Sequence, residues 1–248
     1  MTEQAMTNTG PSESDVQTAL KRLGTRAMGL TGADVERIVR EARQVARRQK
    51  RPIRFQDLED GIRMNRPVLP HDLRWRFAVH EAGHALVHHV LKLGPIQGIT
   101  IDMPDGGYSL LAFQRSGSDM LSYREDLLAM LLAGRAAEQI VFCSVSVGSA
   151  GSDDSDLARA TRLALAMERS LGFGAVQPLL YRDDKHPTPV LDAHPDLAAR
   201  VHARLEKALA KAMDVLDGNR ERLDRLTAVV FEQQVLDGEA VSELLNKG

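Results

Sequence analysis

Four of the eight histidines lie in one apolar stretch, FAVHEAGHALVHHVL, at residues 77–91. Its central part, HEAGH, has the HExxH pattern. If the stretch is a helix, His80 and His84 lie on the same face, one turn apart. Two imidazoles placed in this way can both bind one zinc ion at about 2.0–2.1 Å. The glutamate beside them can take a proton from a water at the metal. The pattern therefore predicts His80 and His84 as metal ligands and Glu81 as a general base.

The competing interpretation is a helix whose histidines extend to water, because HExxH can also arise by chance. The apolar residues on both sides favour the metal site, since buried imidazoles need partners. His88 and His89 are weighed separately. The direction of His88 drifts by about 80° from that of His80 over eight residues. We therefore expect His88 and His89 to be exposed or hydrogen bonded, and not to bind the metal.

A catalytic zinc ion needs a third protein ligand. The extended HExxHxxGxxH pattern is absent, because Val90 stands where its last histidine would be. Two acids are candidates. Glu138 lies in a predicted buried helix, where a bare carboxylate is costly. Asp156 follows a Gly-rich loop and opens a helix, which places functional groups on a rigid base. Asp156 could instead be an N-cap or first-turn acid. Three neighbours can take that capping role: Asp153, Asp154 and Ser155.

The elements that must position these residues are mainly helical, because Leu and Ala dominate the apolar set and aromatic residues make up only 4% of the chain. Residues 1–15 are polar and small, which predicts a disordered tail. Residues 16–66 show helical spacing, and the prolines that follow mark a linker. Residues 67–248 carry the HExxH pattern. We expect a mainly α fold with a small β-sheet (α+β).

Two strands are predicted just after the HExxH helix, in IQGITID and YSLLAF, around a Gly-rich turn. The first of them could be an edge strand. An extended peptide could then pair with its main chain, which binds substrate without demanding a particular sequence. Ile99, Thr100 and Ile101 are therefore predicted to bind substrate.

Composition narrows the classes of function. The net charge of −2 does not require nucleic acid or an acidic partner, and the single cysteine, Cys143, fits a reducing compartment. Cys143 is expected in the core. A basic cluster leaves nucleic-acid binding open as an alternative, but Glu36 and Glu41 are interleaved with it. A solvated or subunit-facing helix is favoured, with no nucleic-acid partner. The cluster comprises Arg37, Arg40, Arg43, Arg47, Arg48, Lys50, Arg51 and Arg54.

The segments HEAGHALV, LLAGRAAE and DLARAT, in this order, resemble the peptidase domain of the FtsH family of AAA-type zinc proteases. Residues 29–62 are similar to that family's small helical AAA lid. The resemblance implies a helical zincin-type peptidase with one zinc ion per subunit, bound by His80, His84 and Asp156. It assigns Glu81 as the catalytic glutamate and places Glu138 beside the ligands. It also implies a hexameric ring, fed by an ATPase ring, that degrades unfolded or damaged proteins.

The sequence departs from the family pattern in three ways. It contains no GxxxxGK[ST], so we expect no nucleotide site in this chain, and ATP dependence would need an ATPase partner. Ser155 stands where the family tends to have asparagine. No apolar run is long enough for a membrane span, which favours a cytoplasmic protein that reaches a membrane only through a partner. The chain is either the C-terminal part of a larger protease or a stand-alone relative. The alternative function is a non-catalytic, peptidase-like assembly subunit.

Overall fold

The structure is a computed structural model. It describes residues 12–27, 29–66, 68–103, 106–114, 118–147, 151–182 and 187–247. The chain divides into two compact units, Met1–Val68 and Leu69–Gly248. Each unit is described by itself.

The first unit contains three helices, α1 (Glu13–Arg26), α2 (Gly32–Arg48) and α3 (Phe55–Met64), within its described residues. α1 and α2 both begin with a capping box, in which a cap hydroxyl and an acidic side chain satisfy each other's backbone N–H groups. The small core of this unit consists of Ile38, Ala42, Ala46 and Ile62. The basic residues of α2 lie mainly on its exposed face.

The predicted disordered tail over residues 1–15 was wrong at its end. Residues 1–11 lie outside the described residues, but Ser12 caps α1 and Glu13 is its first residue. The backbone N–H of Asp15 donates to the Ser12 hydroxyl at 3.2 Å, and this contact starts the helix earlier than hydropathy indicates. Short polar residues at a helix start were therefore mistaken for a tail.

The second unit is mainly helical and contains a small antiparallel sheet, which confirms the predicted fold class. Its helices in the described residues are α4 (His71–Val90), α5 (Leu121–Leu131), α6 (Ala133–Phe142), α7 (Asp156–Arg169), α8 (Pro187–Ala193), α9 (Pro195–Asp217), α10 (Arg220–Gln233) and α11 (Gly238–Asn246). Its strands are β1 (Ile96–Met103), β2 (Gly106–Leu111) and β3 (Val235–Asp237).

Helix α4 lies at the centre of this unit, and every residue from Ala78 to His88 is buried. It packs against α6, α10 and the sheet. Gly83 permits close contact with α6, because a Cβ at this position would lie 2.7 Å from the Cβ of Ala137 and 2.8 Å from the carbonyl oxygen of Ala133. A helix buried on all sides forces its polar residues to find partners inside the protein.

The sheet has the strand order β2-β1-β3, so β1 is its central strand. Thr100 is fully buried and pairs with Tyr108 of β2 and Val235 of β3. The prediction that Ile99, Thr100 and Ile101 form a free edge for substrate was therefore wrong, because the main chain of β1 is already paired on both sides. Of the described strands, β2 and β3 are the edges.

Cys143 was expected in the core but is exposed. It ends α6 in the left-handed conformation, with φ of 51°, and so turns the chain outward at the end of the helix.

Candidate metal centre

Three side chains converge at the surface of α4. The Nε2 atoms of His80 and His84 lie 3.1 Å apart. The Oδ2 atom of Asp156 lies 3.3 Å from the first of these nitrogens and 3.1 Å from the second. Within the described residues, these three form the group whose ligand atoms are close enough to share a metal ion.

Two helices, α4 and α7, position these three side chains. His80 and His84 are one turn apart on the buried helix α4, so their rings point in the same direction. Asp156 is the first residue of α7, 76 positions after His80. Ser155 caps α7 by accepting the backbone N–H of Ala158 at 3.3 Å. The Asp156 carboxylate is therefore not used as the cap and can face the histidines.

Hydrogen bonds at the far side of each ring fix the tautomers. The Nδ1–H of His84 donates to the carbonyl oxygen of Met130 at 2.8 Å. The Nδ1–H of His80 donates to Oε1 of Glu138, also at 2.8 Å. Since both acceptors can only accept, each Nδ1 carries the hydrogen and each Nε2 of a neutral ring presents a lone pair. This is the state in which imidazole binds a metal.

The three converging atoms fit a zinc ion. Ligands of a tetrahedral zinc at about 2.0–2.1 Å lie roughly 3.3–3.4 Å from one another, close to the observed separations of 3.1–3.3 Å. Two imidazole nitrogens and a carboxylate oxygen at these distances can bind one shared cation. Burial works to lower the pKa of His80, but hydrogen bonds to Asp156 and Glu138 outweigh it and raise the pKa to about 10. Burial would raise the pKa of Asp156, yet the two imidazoles hold it well below its usual range.

Glu138 is 1% exposed, and each of its two carboxylate oxygens accepts hydrogen bonds. Oε1 accepts from His80 and from the Ser146 hydroxyl at 2.9 Å. Oε2 accepts from Arg76 at 2.8 Å and from the Ser146 backbone N–H at 2.7 Å. Burial alone would raise the pKa of Glu138, but these donors lower it to about 2. The ionised carboxylate therefore holds the His80 ring in place.

Glu81 lies beside the three converging atoms and contacts strand β2. The hydroxyl of Ser109 donates to its Oε2 at 2.6 Å. A Cβ at Gly107 would lie 2.7 Å from its Oε1, so the absence of a side chain at this position makes room for the carboxylate. Among the described residues, Ser109 alone hydrogen bonds to the Glu81 side chain, and Oε1 is left to act on another molecule.

A cavity of about 310 Å³ opens at this point. Its lining contains both apolar side chains and polar ones, and the polar ones include Asp154, Asp156 and Arg159. The apolar lining residues include Phe77, Tyr108, Leu111, Phe113 and Met130. His80, His84 and Asp156, here called the metal group, and Glu81 are thus accessible to a ligand with both apolar and polar parts.

Comparison with known proteins agrees with this geometry. Residues 68–244 match the family model described as peptidase family M41. The chain belongs to peptidase family M41. This confirms the resemblance to the FtsH-type peptidase region that the three sequence segments indicate.

Curated M41 relatives are similar over most of this chain. The ATP-dependent zinc metalloprotease FtsH 3 of Symbiobacterium thermophilum is 31% identical over 96% of the chain and 41% of its own length. The ATP-dependent zinc metalloprotease FtsH of Methylibium petroleiphilum is 34% identical over 91% of the chain and 40% of its own length. The ATP-dependent zinc metalloprotease FtsH of Hahella chejuensis is 32% identical over 96% of the chain and 41% of its own length. The chain thus spans about two-fifths of the length of these relatives.

The structure brings together all the predicted residues of the M41 site except those of β1. His80, His84, Asp156 and Glu138 are in contact, and Glu81 lines the same cavity. Sequence reasoning missed the residues that hold Glu138 and Glu81 in place, which are Arg76, Ser109 and Ser146. Arg76 lies one turn before His80 on α4, a spacing that could have been noticed. Ser109 and Ser146 carried no signal, because serine in a strand or loop is ordinary.

His88 corrects another expectation. It is fully buried, so the prediction of an exposed side chain was wrong. Within the described residues neither ring nitrogen makes a hydrogen bond of good geometry, and the backbone of Gly94 and Ala112 lies beside the ring. Its ring packs edge-on against Phe113, with centroids 5.3 Å apart. Burial lowers the pKa of His88 to about 4, against weaker opposing effects of the Gly94 and Ala112 backbone. His88 therefore acts as a neutral core residue, while His89 is only half-buried.

The described residues contain no helix that is both long and apolar enough to cross a membrane.

Proposed function

We propose that this M41 chain is a zinc-dependent endopeptidase in which His80, His84 and Asp156 hold the metal and Glu81 is the general base. One observation carries the proposal. Two Nε2 nitrogens and a carboxylate oxygen converge at 3.1–3.3 Å in a cavity that Glu81 also lines. The names of the relatives, which are zinc metalloproteases, support the same metal and the same reaction class.

The surrounding residues have separate tasks. Glu138 keeps the hydrogen of His80 on Nδ1, and the Met130 carbonyl does the same for His84. Arg76 and Ser146 hold Glu138 in turn. Partners of this kind orient ligating imidazoles, and their loss typically costs 10–100-fold in metal affinity.

A bound zinc ion supplies Lewis-acid polarisation of the peptide carbonyl and of the attacking water. Oε1 of Glu81 takes a proton from the water as its oxygen attacks the carbonyl carbon, and the carbonyl π pair moves onto oxygen to give a tetrahedral oxyanion. The oxyanion then collapses, the C–N bond breaks, and its electron pair goes to nitrogen. Glu81 returns the proton to that nitrogen, which leaves as the amine. The hydroxyl of Ser109 keeps Oε2 engaged, so that Oε1 carries the proton.

Substrate binding falls to β2 in place of β1. β2 lies at the edge of the described sheet and lines the cavity through Gly107, Tyr108 and Ser109. A peptide that adds to this edge would run past Glu81 with its main chain hydrogen bonded. Recognition of the main chain demands little of the sequence, which supports unfolded or damaged protein as the substrate class.

We also propose ring assembly and ATP dependence for this protein. Ring assembly as a hexamer follows from the family resemblance, and ATP dependence from the names of relatives such as FtsH 3. The first unit, with its three helices, is the AAA-lid-like segment in this proposal. Since the sequence contains no GxxxxGK[ST], ATP would act through an ATPase module outside these residues.

The test compares the wild type with Glu81→Gln, which removes the base and leaves the metal ligands. Zinc content is measured together with cleavage of casein and of a quenched fluorescent peptide. We expect one zinc ion per chain in both proteins and loss of at least 100-fold in cleavage in the variant. Equal cleavage by both would contradict the role of Glu81. A folded wild type that holds zinc but cleaves nothing, alone or with an ATPase ring, would favour the non-catalytic assembly subunit.

A further inference from the structure

Arg159 lines the metal cavity but has no part in the chemistry described above. We propose that Arg159 binds the carbonyl oxygen of the scissile peptide and stabilises the oxyanion that forms on it. This inference rests on the proposed endopeptidase function, because it assigns an additional catalytic residue to that same site.

The position of Arg159 follows from the helix that carries Asp156. The two residues are three positions apart on α7, so their side chains leave the helix on the same face. One guanidinium nitrogen, Nη1, lies 3.7 Å from Oδ1 of Asp156, the oxygen that faces away from the histidines. The guanidinium therefore stands at the rim of the metal group.

Within the part of the chain that the structure describes, the guanidinium of Arg159 makes no hydrogen bond. A separation of 3.7 Å is longer than a hydrogen bond, and a guanidinium carries five N–H donors. Arg76, by comparison, donates to Glu138 and to Ser144 and is three-quarters buried. The side chain of Arg159 is 47% exposed, so it can move toward a ligand in the cavity.

The charges around the cavity make a second cation valuable. The residues that the structure describes contribute four carboxylates to its lining, those of Glu81, Glu138, Asp154 and Asp156. Among the described lining residues, Arg159 is the only arginine or lysine. An oxyanion that forms among carboxylates is destabilised unless positive charge lies close to it. Donors placed where charge develops are often the largest single contribution to catalysis.

Arg159 is expected to bind the transition state more tightly than the bound substrate. A neutral peptide carbonyl gains little from the guanidinium, whereas the oxyanion gains a charge-assisted hydrogen bond. Loss of Arg159 should therefore lower kcat and leave KM nearly unchanged. A residue that only holds Asp156 in place would instead change the affinity for zinc.

The experiment uses the full chain loaded with zinc and compares Arg159→Gln and Arg159→Lys with Arg162→Gln. Arg162 lies on the same helix, but it is not among the residues that line the metal cavity, so its variant is the matched control. Three quantities are measured: kcat and KM on a quenched fluorescent peptide, zinc affinity by competition with a chelator, and the Kd of a peptidyl phosphinate by calorimetry. The phosphinate is a stable anion that resembles the tetrahedral oxyanion.

We expect Arg159→Gln to lower kcat and to weaken phosphinate binding by about 100-fold each. In Arg159→Gln, KM and zinc affinity should stay within about threefold of the wild-type values. Arg159→Lys keeps the charge, so its kcat should be about tenfold higher than that of Arg159→Gln. Arg162→Gln should match the wild type in all three quantities. Unchanged phosphinate affinity, or weaker zinc binding that accounts for the loss of rate, would overturn the assignment. A wild type that holds zinc and cleaves peptide while these outcomes fail refutes Arg159 alone. A wild type that neither holds zinc nor cleaves peptide refutes the proposed function and this assignment with it.

Discussion

Glu81 and Glu138 are both buried glutamates, yet their partners give them different properties. Each oxygen of Glu138 receives two donors, so its charge and position are fixed. Glu81 receives a hydrogen bond from Ser109 on one oxygen only, within the described residues, and the other is available to take up and release a proton. A carboxylate that must exchange a proton cannot have all its lone pairs occupied by fixed donors.

Replacement of Ser109 by alanine tests this difference. The change removes the donor to Oε2 of Glu81 and leaves the metal group untouched. Because a hydrogen bond to a charged group contributes about 1.5–3 kcal/mol, we expect kcat to fall by roughly 10-fold or more. Zinc affinity should be unchanged in chelator competition. Loss of zinc from Ser109→Ala, with rate lost in proportion, would mean that Ser109 supports the fold of the site instead.

Gly134 tests the space around His80. A Cβ at position 134 would collide with the ring of His80 at Nε2, the nitrogen that we propose as a metal ligand. We expect Gly134→Ala to lower zinc affinity by about 100-fold, since loss of ligand orientation costs that order of affinity. Gly32→Ala, where an added Cβ meets nothing within 4 Å, is the matched control. Equal zinc affinities in the two variants would exclude the proposed position of the metal.

At the level of helices and strands, the spacing of apolar residues located most elements in the sequence but not which elements pack against each other. The HExxH spacing on α4 was sufficient to find His80 and His84 in the sequence, and the helix start at α7 made Asp156 one of two candidate acids, between which the family resemblance decided. The central position of β1 could not be found in this way. It depends on β3, a strand of only three residues that pairs with Thr100 from position 235. Three residues carry no detectable alternation, so a tertiary contact decided what the local pattern left open.

His88 shows what burial of the middle of α4 costs. The buried ring keeps a pKa of about 4, below the unfolded value of about 6.5. As pH falls from 6.5 to 4, the unfolded chain therefore takes up a proton before the folded chain does, and the free energy of unfolding decreases. This group should contribute a loss of about 2–3 kcal/mol over that range. Because His88→Leu lacks it, the difference in stability between wild type and variant should shift by that amount between pH 7 and pH 4.5 in urea unfolding. A difference independent of pH would contradict the burial of a neutral ring.

For the molecule as a whole, the proposed metal site joins distant parts of the second unit. Its proposed ligands come from α4 and α7, with His80 and Asp156 76 positions apart, and Glu138 of α6 contacts His80 from a third helix. The three sequence segments that indicated the family are therefore the three helices that meet at one point. The sequence could mark these helices as functional, but only packing could show that Ser109 and Arg159 line the same cavity and that Arg76 contacts Glu138.

X-ray absorption at the zinc edge, on protein loaded with one equivalent of zinc, tests the central claim most directly. The account predicts one zinc ion with two imidazole nitrogens and a carboxylate oxygen at about 2.0–2.1 Å, and no sulfur. In Asp156→Ala the carboxylate contribution should disappear and zinc affinity should fall by at least 100-fold. A spectrum with a sulfur ligand or with fewer than two imidazoles, or full zinc affinity in Asp156→Ala, would contradict the account.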